Sequence, residues 1–213
     1  MTERIRPEVA VAVGRRIRAL RSEAGLSVAQ LGEASDVSRR MLTQIELGQA
    51  NPSLGTVDRI ASALGTTFAA LVGLTGDGTA GSVGPVGSPH PPEGSPEGSP
   101  EGSPDGVLVW STPAGSWGRL LTAVETDRHA VEMWRWHFVA GDSYRTSPDA
   151  GTPDTMVHVL RGRLRVRPVT EGVPVVEVQE PGTTRITDRS AYHLGAASAE
   201  ADCMFVVMVP RGV

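Results

Sequence analysis

A four-residue unit, Pro-Glu-Gly-Ser, recurs at 92–95, 96–99 and 100–103, with a near-copy beginning at Pro104. It closes a longer tract, 73–106, that holds five acids, no Arg and very little to bury. Such a tract cannot offset the entropy of its own ordering, so it is expected to be a disordered tether, held fairly extended by its prolines. The 213-residue chain must therefore fold as two separate blocks, one before residue 73 and one after 106, each long enough for its own core.

The first block reads as helical. Val9, Val13, Ile17 and Leu20 repeat at helical spacing between Glu8 and Ala24, with Gly25 as a stop. Ser27, Ser38 and Ser53 stand as N-caps before three further apolar patterns, and Thr67 to Val72 makes a short fifth helix. Within this block Val28 to Ala34 and Arg39 to Leu47 are two helices separated by the break Ser35-Asp36-Val37-Ser38. The second turns Leu42 and Ile45 inward and leaves Ser38, Arg39, Arg40, Thr43 and Gln44 outward. Those donors reach phosphates and base edges, and a helix fits the major groove of DNA. The arrangement predicts a helix-turn-helix with a recognition helix starting at Arg39. Charge agrees: residues 1–72 carry nine Arg against seven acids, although the whole chain has a net charge of −4.

From Val107 the period switches to two. Strands are predicted at 107–110, 118–124, 131–139, 155–160, 162–167, 173–179, 183–187 and 203–209, a count that points to a sandwich or barrel. Eight of the nine aromatic residues lie here, as core or as pocket wall. His137 and His158 sit in strands and read as wall or surface residues. Arg161, Arg163, Arg165 and Arg167 alternate along one strand face, most simply a solvated one, with a dimer rim or an anionic partner as alternatives. The single Cys203, in an apolar setting, reads as a small buried hydrophobe. With no apolar leader and no run able to span a bilayer, a cytoplasmic protein is expected.

Two resemblances sharpen this. Arg21, Leu31, Ser38, Ile45-Glu46, Gly48, Asn51-Pro52 and Leu64-Gly65 fall at the spacings of the XRE-type (lambda-repressor-like) helix-turn-helix family, across roughly residues 10–72. The resemblance implies that Arg21 and Glu46 form a structural pair, and that Arg39, Arg40, Thr43 and Gln44 face the groove. Val28 departs from the family, which often has Gln there for a phosphate contact, and Gln30 is out of register to replace it.

The second block resembles the cupin barrels (double-stranded β-helices) on WRWHFVAGDSY (134–144), VHVLRGRLRV (157–166) and PGTTRITDRSAYH (181–193), and the two-part order resembles bacterial regulators that join an XRE domain to a cupin sensor. By that resemblance the metal-ligand positions fall on Ser147, Asp149, Thr155 (beside Asp154) and His193, so only His193 keeps its ligand. One imidazole is a poor transition-metal site. No metal, no cofactor and no catalytic residue is expected, and Trp136, Asp149 and His193 are the candidate pocket residues. His193 could bond a ligand or merely a neighbouring carbonyl.

The expectation is thus a multidomain chain: helix-turn-helix domain 8–72, tether 73–106 and cupin barrel 107–213. It would bind a double-stranded DNA operator as a homodimer, with no membrane partner, and would sense a small-molecule effector without being an enzyme. The alternatives are a cupin metalloenzyme (oxygenase or isomerase) tethered to DNA, and a barrel that only dimerises. The tether argues against rigid transmission and favours coupling through oligomeric state.

Overall fold

The computed structural model describes residues 5–74, 106–126, 129–146, 154–186 and 191–210. Nearly all of the tether, 75–105, lies outside the described residues, as do Ser147 and Asp149.

Five helices form the first block: α1 (Pro7–Glu23), α2 (Val28–Ala34), α3 (Arg39–Glu46), α4 (Leu54–Ala63) and α5 (Phe68–Leu71). Side-chain caps start four of them. Ser27, Ser38, Ser53 and Thr67 accept the backbone N–H of Gln30, Met41, Thr56 and Ala70. Their apolar stripes meet in one core of Val13, Ile17, Leu31, Leu42, Ile45, Val57, Ile60 and Phe68, all at most 1% exposed. Gly14 lets α1 approach α3 closely, since a Cβ there would stand 2.0 Å from the Ile45 carbonyl oxygen.

The second block is an eight-stranded antiparallel sheet: β1 (Val107–Ser111), β2 (Trp117–Glu125), β3 (His129–Val139), β4 (Tyr144–Arg145), β5 (Asp154–Pro168), β6 (Val176–Gln179), β7 (Gly182–Ile186) and β8 (Tyr192–Pro210). The order is β1-β2-β3-β8-β5-β6, with β4 on β8 and β7 on β5. The sheet curls, because β4 brings Tyr144 back over β1 and β3. Its ring lies 5.4 Å from Trp110 and 4.7 Å from Trp136.

Several strands differ from expectation. Residues 155–160 and 162–167 form one strand, not two about a turn. Gly162, at φ +77°, sits between two register shifts, so its left-handed backbone makes a bulge and pairing with β8 resumes beyond it. β8 begins at Tyr192 rather than Cys203, because pairing with β4, β5 and β3 holds a Gly-, Ala- and Ser-rich run extended where propensity is weak. Residues 173–175 precede β6 and are not part of it.

The blocks touch. Arg6 N–H donates to the Val109 carbonyl at 2.7 Å, and Thr67 Oγ1 donates to Glu125 Oε1 at 2.6 Å. Phe68 of α5 stacks on Trp134 of β3 with ring centres 5.9 Å apart. Beneath it Glu132, 5% exposed, accepts bonds from Trp134 Nε1 at 2.9 Å and from the Ala69 backbone N–H. A carboxyl group of the sheet thus meets one open N–H group, that of Ala69, in α5's first turn. Burial pushes the Glu132 carboxyl above the usual range, against those two donors. The two blocks are therefore in direct contact as well as joined through the chain between them.

Candidate nucleic-acid interface

The turn between α2 and α3 is tight for two local reasons. Asp36 takes φ +51°, a left-handed conformation that a short polar side chain tolerates. Gly32 is the second, since a Cβ there would lie 2.7 Å from the Val37 carbonyl oxygen. Past the turn, Leu42, Ile45 and Glu46 of α3 are buried, which leaves the opposite face to solvent. Arg39, Arg40 and Thr43 are exposed there and Gln44 is half-buried. Thr43 Oγ1 donates to the Arg39 carbonyl at 2.9 Å, so its methyl group points away from that bond. Ser38 spends its hydroxyl on accepting the Met41 N–H at 3.2 Å, which makes it a helix cap.

Arg21 and Glu46 hold this helix in place. Arg21 Nε and Nη2 reach the two Glu46 oxygens at 2.6 and 2.8 Å, and Nη1 donates to the Leu26 carbonyl at 2.8 Å. The fork ties α1, the α1–α2 loop and the end of α3 together. The side chains are 14% and 6% exposed, so neither is presented to a partner. The guanidinium is pushed further above its already high range, first by the Glu46 bond.

Gln30 is committed elsewhere: its Oε1 accepts the Ser27 N–H at 2.9 Å in a reciprocal capping box. It therefore does not stand in for the phosphate contact that Val28 lacks. One exposed residue escaped the sequence reading. Leu47 is 54% exposed and continues the Arg40–Thr43 row, where an apolar tip fits a thymine methyl group. Its signal was the i, i+3, i+7 spacing, hidden because a leucine there reads as core.

In the β domain the two described candidate pocket residues, Trp136 and His193, stand apart. Trp136 is buried in the interior against Trp110, Phe138 and Phe205. His193 pairs in register with Arg145 and Arg167, on the face opposite Leu194 and Val166. Asp149 lies outside the described residues. Asp154 faces outward beside Arg185 at 3.7 Å, and Thr155 turns the other way. Among the described residues no group of three or more His, Cys, Asp or Glu is placed to hold a metal ion. A cavity of about 200 Å³ opens instead among Val166, Val176, Thr184, Ile186 and Tyr192.

The remaining polar candidates are structural. His137 Nδ1 pairs with Asp202 at 3.2 Å and its ring stacks on Trp117, while His158 Nδ1 meets Thr183 Oγ1 at 2.9 Å. Arg161, Arg163 and Arg165 are answered across strands by Glu200, Gln179 and Glu177, a solvated ladder. Glu177 is pulled below its usual range, first by the Arg165 bond. Cys203 is fully buried, and burial pushes its thiol up to about 12.

A tight turn and a capped helix with an outward row of forked and amide donors define a DNA-binding helix-turn-helix. Residues 12–72 match the helix-turn-helix domain family. The immunity repressor protein of Bacillus phage phi105 is 46% identical over 61 residues, 29% of this chain and 42% of that protein. The HTH-type transcriptional regulator DdrOP3 of Deinococcus deserti is 39% identical over 71 residues, 32% of this chain and 55% of that protein. The chain thus spans about half the length of these curated relatives. The solved structure of an HTH_3 family transcriptional regulator from Vibrio cholerae shares the fold of both blocks, at TM-score 0.64 and 20% identity, over 99% of this chain and 100% of that one. No helix among the described residues is long and apolar enough to cross a membrane.

Proposed function

We propose that the chain is a sequence-specific transcriptional regulator that binds a double-stranded operator as a homodimer, and that its β domain is a cupin-type barrel that takes a small effector. The observation that carries the reading is the outward row Arg39, Arg40, Thr43 and Gln44, on a helix whose other side is locked by Arg21–Glu46. One such helix contacts only a half-site, and one module buries too little to be selective, so two copies about one DNA turn apart are needed. The cavity among Val166, Ile186 and Tyr192, with Thr184 as a polar handle, is the effector site in this reading.

The test is selection of the operator from random DNA, followed by footprinting of the full chain and of Arg39→Ala/Gln44→Ala. Each lost base contact removes about 1–3 kcal/mol of discrimination, so the variant should bind without sequence preference. A footprint identical to that of the wild type refutes the assignment of α3. Metal analysis of the purified chain separates this reading from a barrel metalloenzyme.

A further inference from the structure

The sheet has one face that nothing among the described residues covers. Side chains alternate along each strand, so the face opposite Trp134, Phe205 and Val157 can be followed strand by strand. In one row Met133 pairs with Val206, which pairs with Met156, which pairs with Arg185. In the next row Val124 pairs with Val131, which pairs with Met208, which pairs with Asp154. On the other side Arg135 pairs with Met204, which pairs with His158. Val124 is 62% exposed, Met156 52%, Met133 38% and Met208 37%. The chain has six methionines, and four of them (Met133, Met156, Met204 and Met208) stand on this face. Methionine is the side chain that adapts best to an opposing surface, and a contiguous apolar patch of this kind marks an interaction site.

We infer that this face, centred on Val206, is where a second copy of the chain docks. The inference rests on the dimeric reading proposed above and names its surface. Three features select a second copy. The helical domain is already placed on the opposite face, through Phe68 on Trp134 and Ala69 on Glu132, so it leaves this one open. The extent is sufficient: five strands span about 24 Å, and three rows with their margins about 25 Å, giving roughly 600 Å² in projection. Side-chain relief brings that near the roughly 800 Å² per partner of a stable complex. One opposite-charge pair is also placed to cross the axis, on a face that further carries Arg119 beside Arg135 and Arg185 at 3.7 Å from Asp154. Arg135 lies one row to one side of Val206 and Asp154 one row to the other, on the two strands flanking β8. A two-fold axis lying diagonally across Val206 sets each Arg135 over the partner subunit's Asp154, with the two sheets crossed at a steep angle and methionines against methionines. The tether 75–105 is a poor occupant, because its apolar residues are one alanine and two valines.

The experiment is sedimentation of the full chain over a micromolar range, beside Met133→Asp/Met156→Asp. Both positions are exposed, so far-UV circular dichroism and the melting temperature should stay those of the wild type. The wild type should be dimeric, and the variant's dimer constant should weaken about 100-fold or more. Arg135→Asp should weaken it as well, and Arg135→Asp/Asp154→Arg should restore it. A Met133→Asp/Met156→Asp variant that dimerises like the wild type overturns this face while leaving the dimeric reading intact. A wild type that is monomeric throughout overturns both, and one that dimerises only after excision of 75–105 identifies the tether as the occupant instead. The DNA reading is judged separately by the footprint.

Discussion

Replacing Arg21 by Ala tests whether the Arg21–Glu46 fork positions the recognition helix or contacts DNA itself. The substitution removes two bonds to Glu46 of 2.6 and 2.8 Å and a third to the Leu26 carbonyl of 2.8 Å, and leaves the Glu46 carboxylate, 6% exposed, with its cation gone. Breaking one side of a fully buried pair costs about 3–5 kcal/mol. Arg21 retains some exposure, so the lower end applies, about 3 kcal/mol. For a domain of this size each kcal/mol moves the midpoint by about 4–8 °C, so helical unfolding should come roughly 12–24 °C earlier. Arg21→Lys keeps the charge and loses the fork, and should fall between. Arg21→Leu/Glu46→Leu should recover much of the loss, because no charge is left buried. Thermal circular dichroism of the full chain reads the midpoint, and operator titration well below it reads affinity. An Arg21→Ala chain that melts like the wild type but no longer binds its operator refutes the positioning role.

Three further outcomes are expected. Gly14→Ala should destabilise the helical domain by about 1–3 kcal/mol, because its Cβ would meet the Ile45 carbonyl at 2.0 Å; chemical denaturation measures this, and a stabilised variant would mean that α1 and α3 are not so close. Glu132 has a folded-state pKa raised above its unfolded value, so the folded chain binds the extra proton between the two, and this contribution to stability is lost as pH rises from about 4.5 through the raised value. The stability of Glu132→Gln relative to the wild type should therefore grow across that window, and a difference independent of pH would contradict the burial argument. Cys203, with its thiol near 12, should resist alkylation at pH 8 in the folded chain and react once the chain is unfolded.

The helical block was legible because each of its signals is local. Ser27, Ser38, Ser53 and Thr67 cap helices within three residues of themselves, and the apolar stripes repeat inside single helices. What sequence could not supply depends on partners far along the chain. Gly14 reads as a weak helix residue until Ile45 is placed against it. Gly162 reads as a turn until β8 runs past it, and the Ala- and Ser-rich start of β8 reads as nothing until three strands pair with it. Glu132 did leave a trace. In the alternation Glu132, Trp134, Trp136, Phe138 the acid occupies an inward position, and an inward acid requires donors, here Trp134 and the start of α5. The pocket was the least legible part, since His193 takes the face opposite Leu194 and Val166 through a register that only pairing with β4 and β5 determines.

If the β domain takes an effector, as proposed, the joint at α5 changes what that effector has to do. A purely loose tether could transmit a signal only through assembly or effective concentration. Here the rings of Trp136, Trp134 and Phe68 are consecutive neighbours at 5.8 and 5.9 Å, running from the sheet interior into the helical core. An effector influences DNA affinity only to the extent that it binds two arrangements of this joint unequally. The same β2–β3 strands carry the helical domain on one face and the methionine face on the other. With a partner docked there, they fix the separation of the two α3 helices, and half-sites demand a separation near one DNA turn, about 34 Å. In the proposed dimer a tilt of α5 on Trp134 would therefore be felt at the operator as a change in that separation. On that reading an effector of the proposed kind would not have to approach α3 to release or secure DNA.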